Sequence, residues 1–258
     1  GSSLRTGGHF SRVADIIVAA PPPRAVIASA MSGVTDDLAR AVEAAAQRDP
    51  GYREIVAALQ SRHVDVVREI IPAAAAVTLI EKIERDVEDL NEVLRAAWIL
   101  RDGSRGTYDM VMGQGEIWAA EILAAILTAR GLAASAMDAR EVLVVEPSRS
   151  RAAPTVDWKR SREQLAAWSA AHPASDVLVV TGFVAATADG VPATLGRNGS
   201  DYSASIFAAL LDAQEIHIWS DVDGVMSADP RLVSDAVVLE SLSYQEASEL
   251  AYFGAKLT

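Results

Sequence analysis

Short apolar runs alternate with amphipathic helical patterns along this chain, and that alternation is the strongest constraint on its fold. The β-rich runs are Arg24–Ala30, Glu141–Val145, Val177–Phe183 and Glu215–Ser220. Each is too short for a buried helix and is flanked by turn residues. Helical patterns follow or separate these runs at Asp36–Gln47, Gly113–Arg130, Lys159–Ala171, Asp201–Leu211 and Ser243–Phe253. The alternation predicts an α/β fold, with a mainly parallel central sheet covered by helices on both faces.

One segment, about residues 51–101, interrupts the alternation. Gly51–Ile71 and Ala73–Arg101 carry apolar residues at helical spacing and are separated by Pro72. In the second stretch the apolar positions recur every three or four residues with charges between them. We predict a helical hairpin inserted into the α/β domain, where it covers one edge of the sheet.

Charge excludes several classes of partner. The chain has 35 acidic and 23 basic side chains, a net charge of −12. A negative surface repels nucleic acid and anionic membranes at long range. Uncharged stretches such as Val177–Ala188 are shorter than the ~20 apolar residues of a membrane span. With no cysteine for disulfides or thiolate metal sites, the chain is expected to be a cytoplasmic enzyme without nucleic-acid or membrane partners.

Several catalytic signatures are missing. No Gly-x-x-x-x-Gly-Lys-Ser/Thr sequence and no Gly-x-Gly-x-x-Gly after a strand occur, which excludes a P-loop and leaves a dinucleotide-binding dehydrogenase unsupported. No Gly-x-Ser-x-Gly elbow is present, and the four histidines have no metal-like spacing. The acidic loop at 220–231 matches no complete calcium pattern, so no metal-ligating residues are predicted.

Four loops stand where ligands bind in open α/β sheets, between a strand end and a helix N-terminus. They are Ser29–Asp36, Met112–Glu116, Thr194–Asp201 and Ser220–Arg231. In the first, small residues and a glycine allow a ligand to approach the backbone closely. Thr35 or Asp36 is expected to cap the next helix. In the second, Glu116 either faces a cationic ligand group or only complements the helix dipole.

The third loop is the most informative. Glycines flank Arg197, and Ser200 and Asp201 then open a helix. Arg197 can clamp a carboxylate in a bidentate manner, Ser200 and free N–H groups can take a second anionic group, and Asp201 can accept from an ammonium. One loop therefore offers groups for both charges of an amino acid zwitterion.

The lysines add one candidate. Lys82 and Lys159 lie on charged helical stretches that we expect to be solvated, whereas Lys256 follows a helix and a glycine. Lys256 is thus placed to be a fixed positive charge near a bound phosphate.

In this order the four loops resemble the catalytic domain of aspartokinases, within the amino acid kinase family. The matching pieces are Ser29–Asp36 (SAMSGVTD), Thr194–Ser203 (TLGRNGSDYS), Ile218–Arg231 (IWSDVDGVMSADPR) and Leu242–Lys256 (LSYQEASELAYFGAK). The Arg-Asn-Gly form of the third piece resembles bifunctional aspartokinases. The resemblance implies a three-layer α/β/α sandwich with about eight mainly parallel strands, formed by residues 1–258 as one catalytic domain.

The resemblance also implies a reaction, in which ATP with Mg²⁺ phosphorylates the side-chain carboxylate of L-aspartate for lysine, threonine and methionine synthesis. The residues it assigns to catalysis are Arg197, Asp201 and Lys256. Those it assigns to aspartate are Ser29, Thr35, Glu116, Phe183, Arg197, Asn198, Gly199, Ser200 and Asp201. Those it assigns to the nucleotide are Gly1, Ser2, Ser220, Asp221, Met226, Arg231, Lys256 and Leu257.

Departures from the family pattern leave alternatives open. Gly1-Ser2-Ser3-Leu4 fits the last four positions of the signature Lys-Phe-Gly-Gly-Thr-Ser-Val, so the signature lysine is absent from the chain, and Met226 stands where an aromatic is common. We expect no regulatory ACT domain before Thr258, and a parent chain that carries regulatory or second-enzyme domains. A homodimer is compatible with the sequence. The alternatives are an inactive nucleotide-binding fragment and a kinase of the same fold for another carboxylate.

Overall fold

The computed structural model describes residues 3–21, 24–146, 154–172, 175–196, 198–219, 224–229 and 232–252. These residues fall into two compact units, one extending to Ile216 and the other beginning at His217. The single catalytic domain expected from the sequence stays a prediction.

Helices dominate the described residues. They are α1 Gly7–Ala19, α2 Val34–Ala46, α3 Tyr52–Ile70, α4 Ala73–Leu100, α5 Arg105–Met112, α6 Gln114–Ala129, α7 Trp158–Ala171, α8 Gly199–Leu210 and α9 Tyr244–Tyr252. The strands are β1 Arg24–Ala28, β2 Ala134–Met137, β3 Val145–Glu146, β4 Thr155–Val156, β5 Val177–Thr181, β6 Val184–Ala186 and β7 Pro192–Thr194.

The central sheet of the first unit is parallel and has the order β1–β5–β2. Val177 pairs with Arg24 on one side and with Ala134 on the other. The middle strand β5 reads Val-Leu-Val-Val-Thr and is buried almost throughout, as expected for a parallel strand covered on both faces. Three strands form this sheet in the described ranges, fewer than the eight that the resemblance implied.

Alternate residues of β5 enter two different cores. Val177 and Val179 pack with residues of α1, α2, α3, α4 and α6, whereas Leu178 and Val180 pack with residues of α7 and α8. Because successive side chains of a strand point to opposite faces, the sheet separates two helical layers. The predicted three-layer α/β/α sandwich is confirmed.

The helical hairpin is also confirmed, as α3 and α4 on either side of Ile71 and Pro72. Both of its helices pack on α2 and contact α6. The hairpin thus extends the helical layer. The expectation that it covers a sheet edge is wrong, because its apolar faces pack on helices rather than on strands.

Of two predicted strands, one forms only at its end and the other does not form over its described residues. In the run 141–145, Glu141 ends a 3₁₀ turn over Ala139–Glu141, in which the Asp138 carboxylate accepts the Arg140 N–H at 2.9 Å. Val144 makes an isolated bridge to Ala186, and Val145 begins β3. Among the described residues of the last run, 215–219, no strand forms. A β-rich run becomes a strand only where a neighbouring backbone pairs with it.

Conversely, pairing makes a strand of a sequence with little β propensity. Strand β2 reads Ala-Ser-Ala-Met and is held by β5. The antiparallel hairpin of β6 and β7 was not predicted either.

One stretch, Arg105–Ala129, is long and apolar enough to cross a membrane by length and composition alone. In this fold 72% of its apolar 18-residue segment is buried. The main part of the stretch, α6, packs on all three strands of the central sheet. The apolar composition therefore matches that of a core helix.

The second unit contains one isolated antiparallel bridge, Met226 to Val238, and helix α9 among its described residues. Ser243 and Glu246 form a capping box before this helix. The Glu246 carboxylate accepts the Ser243 N–H at 2.8 Å, and Ser243 Oγ accepts the Glu246 N–H at 3.2 Å. The helix predicted at 243–253 is confirmed over the residues described.

Candidate active site

The carboxyl ends of β1 and β5 lie side by side because these strands pair in parallel. The Gly182 N–H donates to the Ala28 carbonyl at 2.8 Å, which joins the two loops that leave the strands. A Cβ added at Gly182 would lie 2.7 Å from Ser200 Oγ. Glycine thus lets the start of α8 reach the sheet edge, where open α/β sheets bind ligands.

Phe183 follows Gly182 in a strained backbone conformation, with a φ of 68°. The Val184 N–H donates to the Gly182 carbonyl at 2.7 Å across it, a three-residue turn. The Phe183 N–H donates to Ser203 Oγ at 2.9 Å, and Ser203 Oγ donates to the Gly199 carbonyl. Strain of this kind is kept where surrounding contacts enforce it, commonly at functional sites.

Glycine at 199 completes this contact. A Cβ at that position would lie 2.6 Å from Phe183 Cδ2. Only a residue without a side chain therefore allows the first turn of α8 to pack on the Phe183 ring.

Helix α8 begins two residues earlier than the sequence predicted. Asn198 is its N-cap in the left-handed conformation, φ 57° and ψ 28°, and the Asn198 side chain makes no capping hydrogen bond within the described part of the chain. Ser200 and Asp201 lie inside its first turn, both partly exposed. Free N–H groups and the dipole make such a helix start suitable for an anionic group.

The loop after β1 contains buried Ala30 and Met31 and half-buried Ser29. The predicted capping of α2 by Thr35 or Asp36 is wrong: the N-cap is Gly33, with a φ of 82° and no side-chain hydrogen bond. Thr35 is the second residue of the helix and is half-buried.

Glu116 is the most unusual group at this end of the fold. Its side chain lies in the first turn of α6 and is buried, with 3% exposure. The carboxylate accepts the backbone N–H of Ala30, and burial raises the pKa of Glu116 to about 7. Oε2 is buried without a hydrogen-bond partner among the described residues. A desolvated carboxylate with an unused oxygen is suited to a cationic ligand group.

The structure therefore brings Glu116 to the loop after β1, Phe183 to Gly199, and Ser200 to Gly182. Eight of the predicted site residues lie outside the described residues: Gly1, Ser2, Arg197, Ser220, Asp221, Arg231, Lys256 and Leu257. Met226 is half-buried in the second unit, paired with Val238. Their proposed roles stay predictions.

Sequence reasoning missed three contributors to this site. Ala30 supplies the N–H for Glu116, Gly182 admits Ser200, and Ser203 holds the Phe183 turn. A glycine directly after a strand was the only available signal for Gly182, whereas Ser203 reads as an ordinary helix residue.

Within the part of the chain that the structure describes, no group of three His, Cys, Asp or Glu side chains is arranged to hold a metal ion.

Comparisons with known proteins show the family of the chain. A model of the amino acid kinase family matches residues 1–257. Bifunctional aspartokinase/homoserine dehydrogenase 1 of Zea mays is 38% identical over 258 residues, which is all of this chain and 28% of that protein. Bifunctional aspartokinase/homoserine dehydrogenase 2 of Escherichia coli is 37% identical over 257 residues, or 30% of its length.

Among solved structures, E. coli aspartokinase III in complex with aspartate and ADP superposes with a TM-score of 0.86 and 29% identity. That match covers all of this chain and 56% of the aspartokinase. The chain thus spans less than a third of its bifunctional relatives and about half of this structural neighbour. Because the family model matches nearly every residue, the chain belongs to the amino acid kinase family.

Proposed function

We propose that this chain is the catalytic domain of an aspartokinase, which transfers the γ-phosphoryl group of ATP to the side-chain carboxylate of L-aspartate. The observation that carries the proposal is Glu116, a buried carboxylate with one unpartnered oxygen beside the loop after β1. A small cationic group that enters this position relieves its desolvation, and the α-ammonium of an amino acid has the required charge and size.

The relatives support the same assignment. The proteins most like this chain include named aspartokinases, and the superposed E. coli enzyme is described with aspartate and ADP. We extend that substrate pair to this chain, with ATP as the phosphoryl donor.

In the proposed complex, Glu116 and Asp201 hold the α-ammonium of aspartate, and Arg197 clamps the α-carboxylate. Ser200 and the free N–H groups at the start of α8 hold a second anionic group. Ser29, Thr35 and Phe183 line the same end of the sheet. These contacts fix the orientation of the zwitterion, so that its side-chain carboxylate faces the nucleotide.

The nucleophile is ionised at pH 7, so no general base is required. A carboxylate oxygen of aspartate forms a bond to the γ-phosphorus while the bond from that phosphorus to the bridging oxygen breaks, and ADP leaves with the electron pair. Lys256 is proposed to balance charge on the phosphates. When bound to ATP, Mg²⁺ adds positive charge on the phosphoryl oxygens.

For the whole protein we propose a role in lysine, threonine and methionine biosynthesis, in the cytoplasm. Fusion to a homoserine dehydrogenase is proposed from the bifunctional relatives, and a homodimer is proposed as its assembly.

A phosphoryl-transfer assay of the full-length protein tests the function. Mg-ATP turnover is measured with L-aspartate, with L-glutamate and without an acceptor, for the wild type and Glu116→Gln. We expect turnover with aspartate, and a KM for aspartate about tenfold higher in the variant, since a neutral amide attracts an ammonium less strongly.

Glu88→Gln is the matched control, because Glu88 is exposed on α4. Preference for glutamate would instead indicate a kinase for another carboxylate, and ATP binding without turnover would indicate an inactive domain.

A further inference from the structure

Asp86 of helix α4 makes a polar contact between the hairpin and the site helix α6. Its Oδ2 accepts hydrogen bonds from Trp118 Nε1 at 3.0 Å, Gln114 Nε2 at 3.1 Å and Lys82 Nζ at 3.2 Å. The Asp86 side chain is 20% exposed. Hydrogen bonds to an ionised acceptor are about twice as strong as neutral ones, so this one oxygen anchors α6 firmly.

Lys82 completes the cluster. Its Nζ also lies 2.8 Å from Glu121 Oε1 on α6, and thus bridges the carboxylates of two helices. The Lys82 side chain is 41% exposed, so it lies at the surface as expected, but its two carboxylate partners were not predicted from the sequence. Lys159 is also exposed as expected.

The two α6 residues that bind Asp86 lie on either side of Glu116 in the sequence. Gln114 and Trp118 are four residues apart and share one face of the helix. Glu116 is two residues from each, about 200° around the axis. Asp86 therefore holds one face of the first turn of α6 while the opposite face presents Glu116 to the loop after β1.

That first turn has no room to move toward the loop. A Cβ added at Gly115 would lie 2.7 Å from Val34 Cγ1 and 2.8 Å from Ala30 Cβ. Trp118 is fully buried, with its ring edge-on to His63 of α3 at 4.7 Å. The turn is thus fixed by packing on the loop side and by the hairpin on the other.

From this arrangement, and resting on the proposed function, we propose that Asp86 is a positioning residue for substrate binding: through Gln114 and Trp118 it sets the position of the Glu116 carboxylate. The inserted hairpin then supports substrate recognition without contacting the substrate.

The test compares Asp86→Ala and Asp86→Asn with the wild type in the full-length protein. We expect Asp86→Ala to raise the KM for aspartate about tenfold and to change the KM for ATP less than about twofold. Asp86→Asn keeps one oxygen for Trp118 but loses the charge, so its effect is smaller. Asp89→Asn, an exposed position on the same helix, leaves both constants unchanged.

Coupling to Glu116 distinguishes positioning from general damage. Because Asp86 acts through Glu116, the double variant Asp86→Ala/Glu116→Gln is expected to have the same KM for aspartate as Glu116→Gln alone. Additive effects, or an unchanged KM for aspartate in Asp86→Ala, would overturn the proposal. Asp86→Asn supplies the same comparison if the alanine variant does not fold.

An infrared measurement makes the test independent of the reaction. The carboxyl band of Glu116, assigned by subtraction of the Glu116→Gln spectrum, is expected to shift in Asp86→Ala as the carboxyl loses its Ala30 contact. An unchanged band contradicts the inference even where aspartate is not the substrate. A wild type inactive with aspartate contradicts the proposed function alone.

Discussion

Gly182 and Ser200 are in such close contact that a Cβ on the glycine would lie 2.7 Å from Ser200 Oγ and 3.0 Å from the Ala28 carbonyl oxygen. One neighbour is backbone, which cannot rotate away. The contact joins the end of β5 to the start of α8, so the geometry of the site depends on residue 182 being a glycine.

Gly182→Ala is therefore expected to lower the free energy of unfolding by about 1–3 kcal/mol through overpacking, and to raise the KM for aspartate because the start of α8 is displaced. Urea unfolding and steady-state kinetics measure the two effects. Gly106→Ala is the matched control: Gly106 is exposed in α5, where an added Cβ meets only Ser104 Oγ at 3.8 Å, and alanine is expected to stabilise that helix by about 0.5–1 kcal/mol.

Ser203 maintains the strained turn at Phe183 from within α8. Ser203→Ala removes the acceptor of the Phe183 N–H and is expected to cost about 1–3 kcal/mol in the free energy of unfolding, since it leaves a donor unpaired. Ser205→Ala is the control, because Ser205 Oγ is exposed and donates only to the Asp201 carbonyl at 3.2 Å. Equal losses in the two variants would contradict the role assigned to Ser203.

Glu116 is expected to make stability fall as pH rises. Burial raises its pKa from 4.5 to about 7, so between these values the folded state binds more protons than the unfolded state, and the free energy of unfolding decreases with pH. The full effect is about 3 kcal/mol. Glu116→Gln removes this pH dependence. The free energy of unfolding of the variant, measured with urea, should therefore exceed that of the wild type by an amount that grows from pH 4.5 to pH 7.

A gain that stays constant with pH would show that Glu116 titrates normally. Added aspartate should weaken the pH dependence in the wild type, because an ammonium favours the ionised carboxylate.

His63 has the opposite effect. Desolvation lowers its pKa to about 4, so the neutral ring is favoured in the fold, and stability is lost as pH falls from 6.5 toward 4. Its Nδ1 donates to the Leu59 carbonyl at 2.7 Å, and its buried Nε2 has no hydrogen-bond partner among the described residues.

His63→Asn keeps a donor for Leu59 and should reduce this acid loss, which is about 3 kcal/mol in the wild type. Unfolding at pH 7 and pH 4.5 measures it. His172→Asn, at an exposed position, should retain the full loss. The same loss in both variants would assign the acid sensitivity to other groups.

The elements predicted correctly from the sequence are those whose signal is local. The hairpin at 51–101 was predicted because its apolar periodicity is long and Pro72 separates its helices, and β5 because five consecutive residues suit a buried strand. Prediction failed at β2, whose Ala-Ser-Ala-Met sequence becomes a strand only through β5, and at residues 215–219, where a β-rich run remains without a strand.

The same distinction between local sequence and tertiary structure applies to the candidate site. The sequence by itself determined the alternation of strands and helices, the small and glycine-rich loops at the strand ends, and Glu116 as a candidate, since each depends on neighbours along the chain. Only the tertiary structure decided that Glu116 is buried against Ala30, that Ser203 supports Phe183, and that Asp86 holds α6. Burial, close approach and hydrogen bonding between helices depend on residues far apart in the chain, and no local pattern records which of them meet.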